Sequence, residues 1–317
     1  MLGKPIDSIN FVAQFDPELA AMMDREFTRQ KDGLELTLCP PDLQEGYYRG
    51  TRFDHSGIFR RIVKDGYVIA DEWFDVYDPY KHDAVCGTSE EFAQCGYGEA
   101  EIGGVFLKPG VGLLYKDDDS PYDHFKLYRV ADPGIWTVTS EDDEAVFVHV
   151  LDDEDWGYVY EKRVTVIDGG SFEISHRLCN TGALVISGDT YNHNFFTLGD
   201  SRPGPQIEID FPFVPCGNWR SEYDNVKLSE HGIRYLRPLS AGESVFMGDL
   251  HPSDGAEITG EVFHICSSDG HAVKFSADQP FDHIVFWSNH RVGCIEPFIP
   301  FSIEPGEEFE WNFKIDL

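Results

Sequence analysis

The stretch Arg163-Val-Thr-Val-Ile-Asp-Gly-Gly-Ser-Phe-Glu-Ile-Ser-His-Arg-Leu178 reads as a β-hairpin. In an extended chain Phe172, Ile174, His176 and Leu178 share one face, and Glu173, Ser175 and Arg177 share the other. Gly169-Gly170 supplies the turn back to the strand Arg163 to Ile167. The same period recurs outward from this hairpin. Leu34, Leu36 and Leu38 alternate with Glu35 and Thr37, predicting a half-buried strand. Near the end of the chain Phe309, Trp311, Phe313 and Ile315 alternate with Glu308, Glu310, Asn312 and Lys314, after a Pro305-Gly306 turn. Val146 to Val150 and His283 to Trp287 are denser apolar runs, suited to strands covered on both faces. Pro40-Pro41, Asp118 to Pro121, Asp132 to Gly134, Arg202 to Pro205 and Ala241-Gly242 punctuate the runs. Short strands with regular turns predict an all-β antiparallel fold, a sandwich or barrel, rather than βαβ units. One helix of about three turns is expected over Asp16 to Phe27, capped by Asp16 with Pro17 in its first turn.

The 317 residues are read as a single domain, 1-317, because large β-sandwiches reach this length as one unit. With 25 Lys+Arg against 57 Asp+Glu the formal net charge is -32, which argues against nucleic acid and anionic membrane as partners, both being polyanions. MLGKPIDSINF has no apolar signal core and no run of about 18 apolar residues occurs, so a soluble, cytoplasmic protein is expected. Seven scattered cysteines predict reduced core thiols, not a disulfide framework. Asp117-Asp118-Asp119 and Asp152-Asp153-Glu154-Asp155 read as solvated loops, since they lack the glycine and closing glutamate of an EF-hand.

Nucleotide, hydride and serine-hydrolase signatures are absent: there is no P-loop, no GxGxxG, no GxSxG and no HExxH. The segment Tyr48-Arg-Gly-Thr-Arg-Phe-Asp-His-Ser-Gly57 is expected to be a strand and a turn, with Arg49 and Arg52 facing opposite ways so that one of them meets a pocket. Arginine there suits polar recognition through its planar fork, and an Arg–Asp surface pair is the competing reading. Trp73, Tyr77 and Tyr80 could stack on sugar faces or fill a core. The sharpest pair is His193 and Glu296. Asn192 and Asn194 are expected to orient the His193 ring, and Phe195-Phe196 to wall it from water. Glu296, before Pro297 in apolar company, should have a raised pKa suited to a general base. His149, His176 and His283 are read as structural.

Tyr191-Asn-His-Asn-Phe-Phe196, preceded by Asn180-Thr-Gly182, resembles a motif of the aldose 1-epimerases (galactose mutarotases), and Val292-Gly-Cys-Ile-Glu-Pro297 resembles that family's late glutamate segment. The second segment is nearer the form found in hexose-6-phosphate relatives. The resemblance runs from about Tyr48 to the end of the chain. It implies an antiparallel β-supersandwich with a sugar cleft, His193 as general acid, Glu296 as general base, and no metal or cofactor. It also makes Arg52, then Arg49, the substrate arginine, with Glu91, Asn192 and Asp249 as further substrate contacts. The family's early His-Gly-Gly segment has no clear counterpart; His82-Asp83 or Glu90-Glu91-Phe92 stands there. The expected activity is interconversion of the anomers of an unphosphorylated aldose. The expected partner is that small sugar, with a homodimer left open. A silent carbohydrate-binding sandwich, a hexose-6-phosphate mutarotase, and a glycosidase or lyase are the competing readings.

Overall fold

A computed structural model describes residues 26–81, 85–199 and 202–317. The helix expected over Asp16 to Phe27 lies outside these residues except at its end, where Phe27 opens a strand. No helix occurs among the described residues, and every strand pairing is antiparallel.

Two large sheets form the body. The first has ten strands in the order β16-β17-β14-β19-β20-β23-β12-β11-β10-β9. These are β9 (Ile135–Ser140), β10 (Glu144–Leu151), β11 (Tyr158–Asp168), β12 (Ser171–Asn180), β14 (Ile207–Asp210), β16 (Val226–Ser229), β17 (Gly232–Tyr235), β19 (Gly260–Ser267), β20 (Ala272–Ala277) and β23 (Glu308–Asp316). The second has six strands in the order β15-β18-β21-β22-β13-β5: β5 (Gly87–Phe92), β13 (Ile186–Phe195), β15 (Pro215–Cys216), β18 (Ser244–Pro252), β21 (His283–Asn289) and β22 (Gly293–Ile303). A four-stranded sheet of β1 (Phe27–Lys31), β2 (Leu34–Cys39), β3 (Ile58–Lys64) and β4 (Tyr67–Ala70) packs alongside, and β6 (Val105–Lys108), β7 (Gly112–Tyr115) and β8 (Val130–Asp132) form a fourth, small sheet.

The hairpin turning at Gly169-Gly170 is β11–β12, with Phe172, Ile174, His176 and Leu178 all buried. On β23, Trp311, Phe313 and Ile315 are buried and Phe309 is half-buried. The two large sheets meet through these faces: the Phe92 ring of β5 stands edge-on to Tyr160 of β11 (5.4 Å) and Trp311 of β23 (5.9 Å). β2 is covered more fully than its alternation suggested, because Thr37 and Cys39 are buried as well as the three leucines. The stretch Thr51 to Gly57 is an irregular loop, not a strand. Gly57 there adopts φ +60°, and a Cβ at that position would lie 2.5 Å from the Phe147 ring. All seven cysteines are free.

Phe172 ties β12 to the four-stranded sheet through Phe59, ring centroids 5.6 Å apart. Phe172→Ala should therefore cost about 3–5 kcal/mol of stability in denaturant unfolding. A loss below about 1 kcal/mol would show that this seam contributes little.

Candidate active site

Glu296 and His193 meet because of a break in one ladder. β13 and β22 pair in register from Ile186↔Ile303 to Tyr191↔Phe298, and the same register resumes at Phe196↔Gly293. Between these points Pro297, which has no N–H to donate, falls opposite Asn192, and His193 falls opposite Glu296. The Asn194 side chain bridges the gap, its amide donating to Ile295 O at 2.8 Å. In the opening His193 Nε2 lies 3.2 Å from Glu296 Oε1, both side chains well under a tenth exposed. The two are cross-strand neighbours on one face.

Rings fix the imidazole. Phe195, two residues on along the same face, stacks on it at 3.9 Å and 5°, Trp73 stacks on Phe195 at 5.3 Å, and Phe53 stands edge-on to His193 at 5.7 Å. Trp73 is thus a buried member of this stack. Tyr77 stacks on Tyr47, and Tyr80 lies beneath Arg49.

Next to the pair is a polar cluster. The Tyr191 hydroxyl accepts from Arg52 Nη2 at 2.9 Å and donates to Glu91. Arg52 also pairs with Glu91, whose other oxygen takes Lys108 Nζ at 3.1 Å. His124 Nδ1 lies 4.0 Å from that oxygen, and Phe125 covers the Arg52 guanidinium at 5.0 Å. Burial alone would raise the Glu91 carboxyl, but Lys108, Arg52 and the Tyr191 hydroxyl hold it down near 2. Glu296 goes the other way. Burial pushes it up to about 8, against the pull of the Arg52 charge.

Of the residues singled out in the sequence, His193, Glu296, Arg52 and Glu91 come together. Three do not. Arg49 faces outward, donating to Gln44 O and covering Tyr80; only one of the two arginines meets the site, as expected, but in a loop and not by strand parity. Asn192 and Asn194 do not orient the His193 ring: strand alternation turns both to the interior, where Asn192 donates to Glu90 at 2.9 Å. Asp249 is exposed on β18, two strands from Glu296, and accepts from the Asn218 backbone at 2.9 Å. His82 and Asp83 lie outside the described residues. Lys108, Tyr191, Phe53 and His124 were missed as site residues. Lys108 carried one weak signal, a charge closing an apolar strand before Pro109-Gly110. His149 and His176 are buried with backbone partners, as structural histidines should be, whereas His283 is half-buried and pairs with Asp282.

The folded protein keeps a proton on Glu296 between the ordinary carboxylate range and pH 8, where the unfolded chain has released it. Folding stability from this group therefore falls as pH rises through that window. Glu296→Gln removes the titration. Its stability relative to the wild type should climb between about pH 5 and pH 8, by at most roughly 1.4 kcal/mol per pH unit, in urea unfolding at a series of pH values. A difference that stays flat with pH would mean that Glu296 ionises normally.

No protein-family model and no curated protein matches the sequence. Solved structures do match, at low identity. A galactose mutarotase-like protein from Clostridium acetobutylicum aligns over 91% of this chain and 93% of its own, at 13% identity and TM-score 0.54. One from Lactobacillus casei ATCC 334 aligns over 92% and 99%, at 12% identity and TM-score 0.52. A candidate aldose 1-epimerase from Escherichia coli K12 aligns over 92% and 98%, at 13% identity and TM-score 0.52. The chain has the galactose mutarotase-like β-sandwich fold.

Proposed function

We propose that the protein is an aldose 1-epimerase, converting the α and β anomers of a free aldose into one another. The observation that carries this is the contact of His193 with Glu296 beside the Arg52–Glu91–Tyr191 cluster. Mutarotation requires one proton to leave the C1 hydroxyl and one to reach the ring oxygen. Both oxygens are bonded to C1, so an acid and a base standing side by side can serve them together. In the free protein burial favours the protonated form of Glu296. A sugar hydroxyl donating to that carboxylate favours its charged form and moves the proton across the 3.2 Å contact to His193. Glu296 then takes the hydroxyl proton as His193 protonates the ring oxygen. The C1–O5 bond breaks to an aldehyde, C1 rotates, and the reverse transfers close the other anomer. Arg52 and Glu91 hold the neighbouring hydroxyls, because positioning is much of the rate.

An unphosphorylated sugar suits the cations present. Arg60 pairs with Glu26 and Glu72, and Arg61 pairs with Asp71, so this doublet is already neutralised. Arg52 and Lys108 are both engaged by Glu91.

Exchange spectroscopy by NMR on a panel of free and phosphorylated aldoses tests the reading. His193→Asn and Glu296→Gln should each lower kcat by about two to four orders of magnitude, and the double variant by less than the product. His149→Asn, remote and stacked on Trp136 at 3.9 Å, should lose stability while its folded fraction keeps near-normal kcat. Sugar binding without accelerated exchange would leave a silent carbohydrate-binding sandwich. Fast turnover of hexose 6-phosphate alone would overturn the choice of substrate.

A further inference from the structure

Directly behind the pair, between the two large sheets, lies a second charged cluster that the proposed reaction does not use. Lys162 of β11 and Glu90 of β5 form an ion pair, each about 1% exposed. Glu90 also takes His176 Nε2 at 3.2 Å and the Asn192 amide at 2.9 Å. Asp54, equally buried, donates its backbone N–H to Glu90 O at 2.9 Å, and its carboxylate accepts from Ser56 N at 2.9 Å and the Tyr160 hydroxyl at 3.0 Å. The charge of Lys162 acts on both Asp54 and Glu90.

Each carboxylate or amide in this cluster is a near neighbour in sequence of a group in the front site. Glu90 adjoins Glu91, Asn192 adjoins His193, and Asp54 lies two residues from Arg52. On β5 and β13 alternation sends one member of each couple to the front and the other to the back. Two of the segments that carry front groups, β5 and β13, are therefore anchored behind the sheet at this ion pair, and the Asp54 segment is tied to it through its backbone N–H on Glu90 O. Stability does not call for it. The surroundings are aromatic (Phe59, Phe92, Tyr160 and Trp311), and apolar replacements for a buried ion pair are often neutral or stabilising.

We propose that Lys162, through Glu90, is a positioning residue that sets Arg52, Glu91 and His193 in register with one another. The proposal rests on the mutarotase reading for its kinetic readout and on geometry for the rest. The test is the double variant Glu90→Gln/Lys162→Met, which removes both charges at nearly constant volume. Its melting temperature should stay within about 5 °C of the wild type or rise, whereas Lys162→Met alone should melt lower. Its kcat for anomer exchange should fall about 10- to 100-fold, the weight of a small misplacement. The His193 ring signals in ¹H–¹³C spectra, assigned by their loss in His193→Asn, should move, and those of exposed His231 should not. A folded double variant with kcat within twofold of the wild type and unmoved His193 signals would reduce the cluster to packing. If the wild type accelerates no sugar, the mutarotase reading fails, and the ring signals alone decide: moved supports positioning, unmoved overturns it. If the double variant does not fold, Asn192→Ser cuts the side-chain hydrogen bond from Glu90 to β13 and leaves the backbone ladder. It should show the same losses, and normal behaviour would overturn the proposal.

Discussion

Everything at this site depends on the period of two along a β-strand. At Glu90-Glu91 and at Asn192-His193, consecutive polar residues are committed to opposite faces of one sheet. The sandwich thus holds two charged layers a strand's thickness apart, one toward solvent and one sealed between the sheets. In most strands the inward set is apolar, as on β12 and β23, and hydrophobic packing registers one sheet over the other. Where β5 and β13 pass over β11 and β12, an ion pair and its hydrogen bonds do that work. Directional contacts tolerate less sliding than apolar ones.

The same period explains what could be read from the residues alone. Alternation on β2, β12 and β23 reveals which side chains are inward, because those strands carry apolar residues on one face. The Gly169-Gly170 hairpin and the proline after Glu296 carry their meaning locally. Asn192 misleads for a related reason. Its neighbour His193 belongs to the site, and adjacency in sequence suggests a shared role that a strand forbids. Asp249 misleads because a carboxylate between two motifs says nothing about strand order, and β21 separates it from β22. The role of Lys108 is not legible beyond its weak signal as a charge closing a strand, because its partner Glu91 comes from another sheet. No spacing in the sequence encodes that meeting.

The opposed ionisation of Glu91 and Glu296 follows from the number of cations each one meets. Glu91 has Arg52 and Lys108 in contact and stays charged; Glu296 is buried beside His193 and is favoured neutral. Two glutamates in one site are thereby held in different protonation states by their neighbours. Overall acidity has no part in this. Arg52, Lys108 and Lys162 are each less than a tenth exposed, in a chain whose formal net charge is -32.

The interrupted ladder also says how the site can move. β13 is paired without a break to β5 from Thr190 to Phe195, so His193 travels with Glu91. On its other side, the pairing to β22 lapses opposite Pro297. Local opening of a sheet begins where its cross-strand bonds are fewest. An opening along this seam would change the distance from Glu296 to His193 while β13 and β5 stay joined. In the proposed reaction the acid and the base stand on either side of this thinly bonded line, and opening and closing a sugar ring there asks for least from the rest of the sheet.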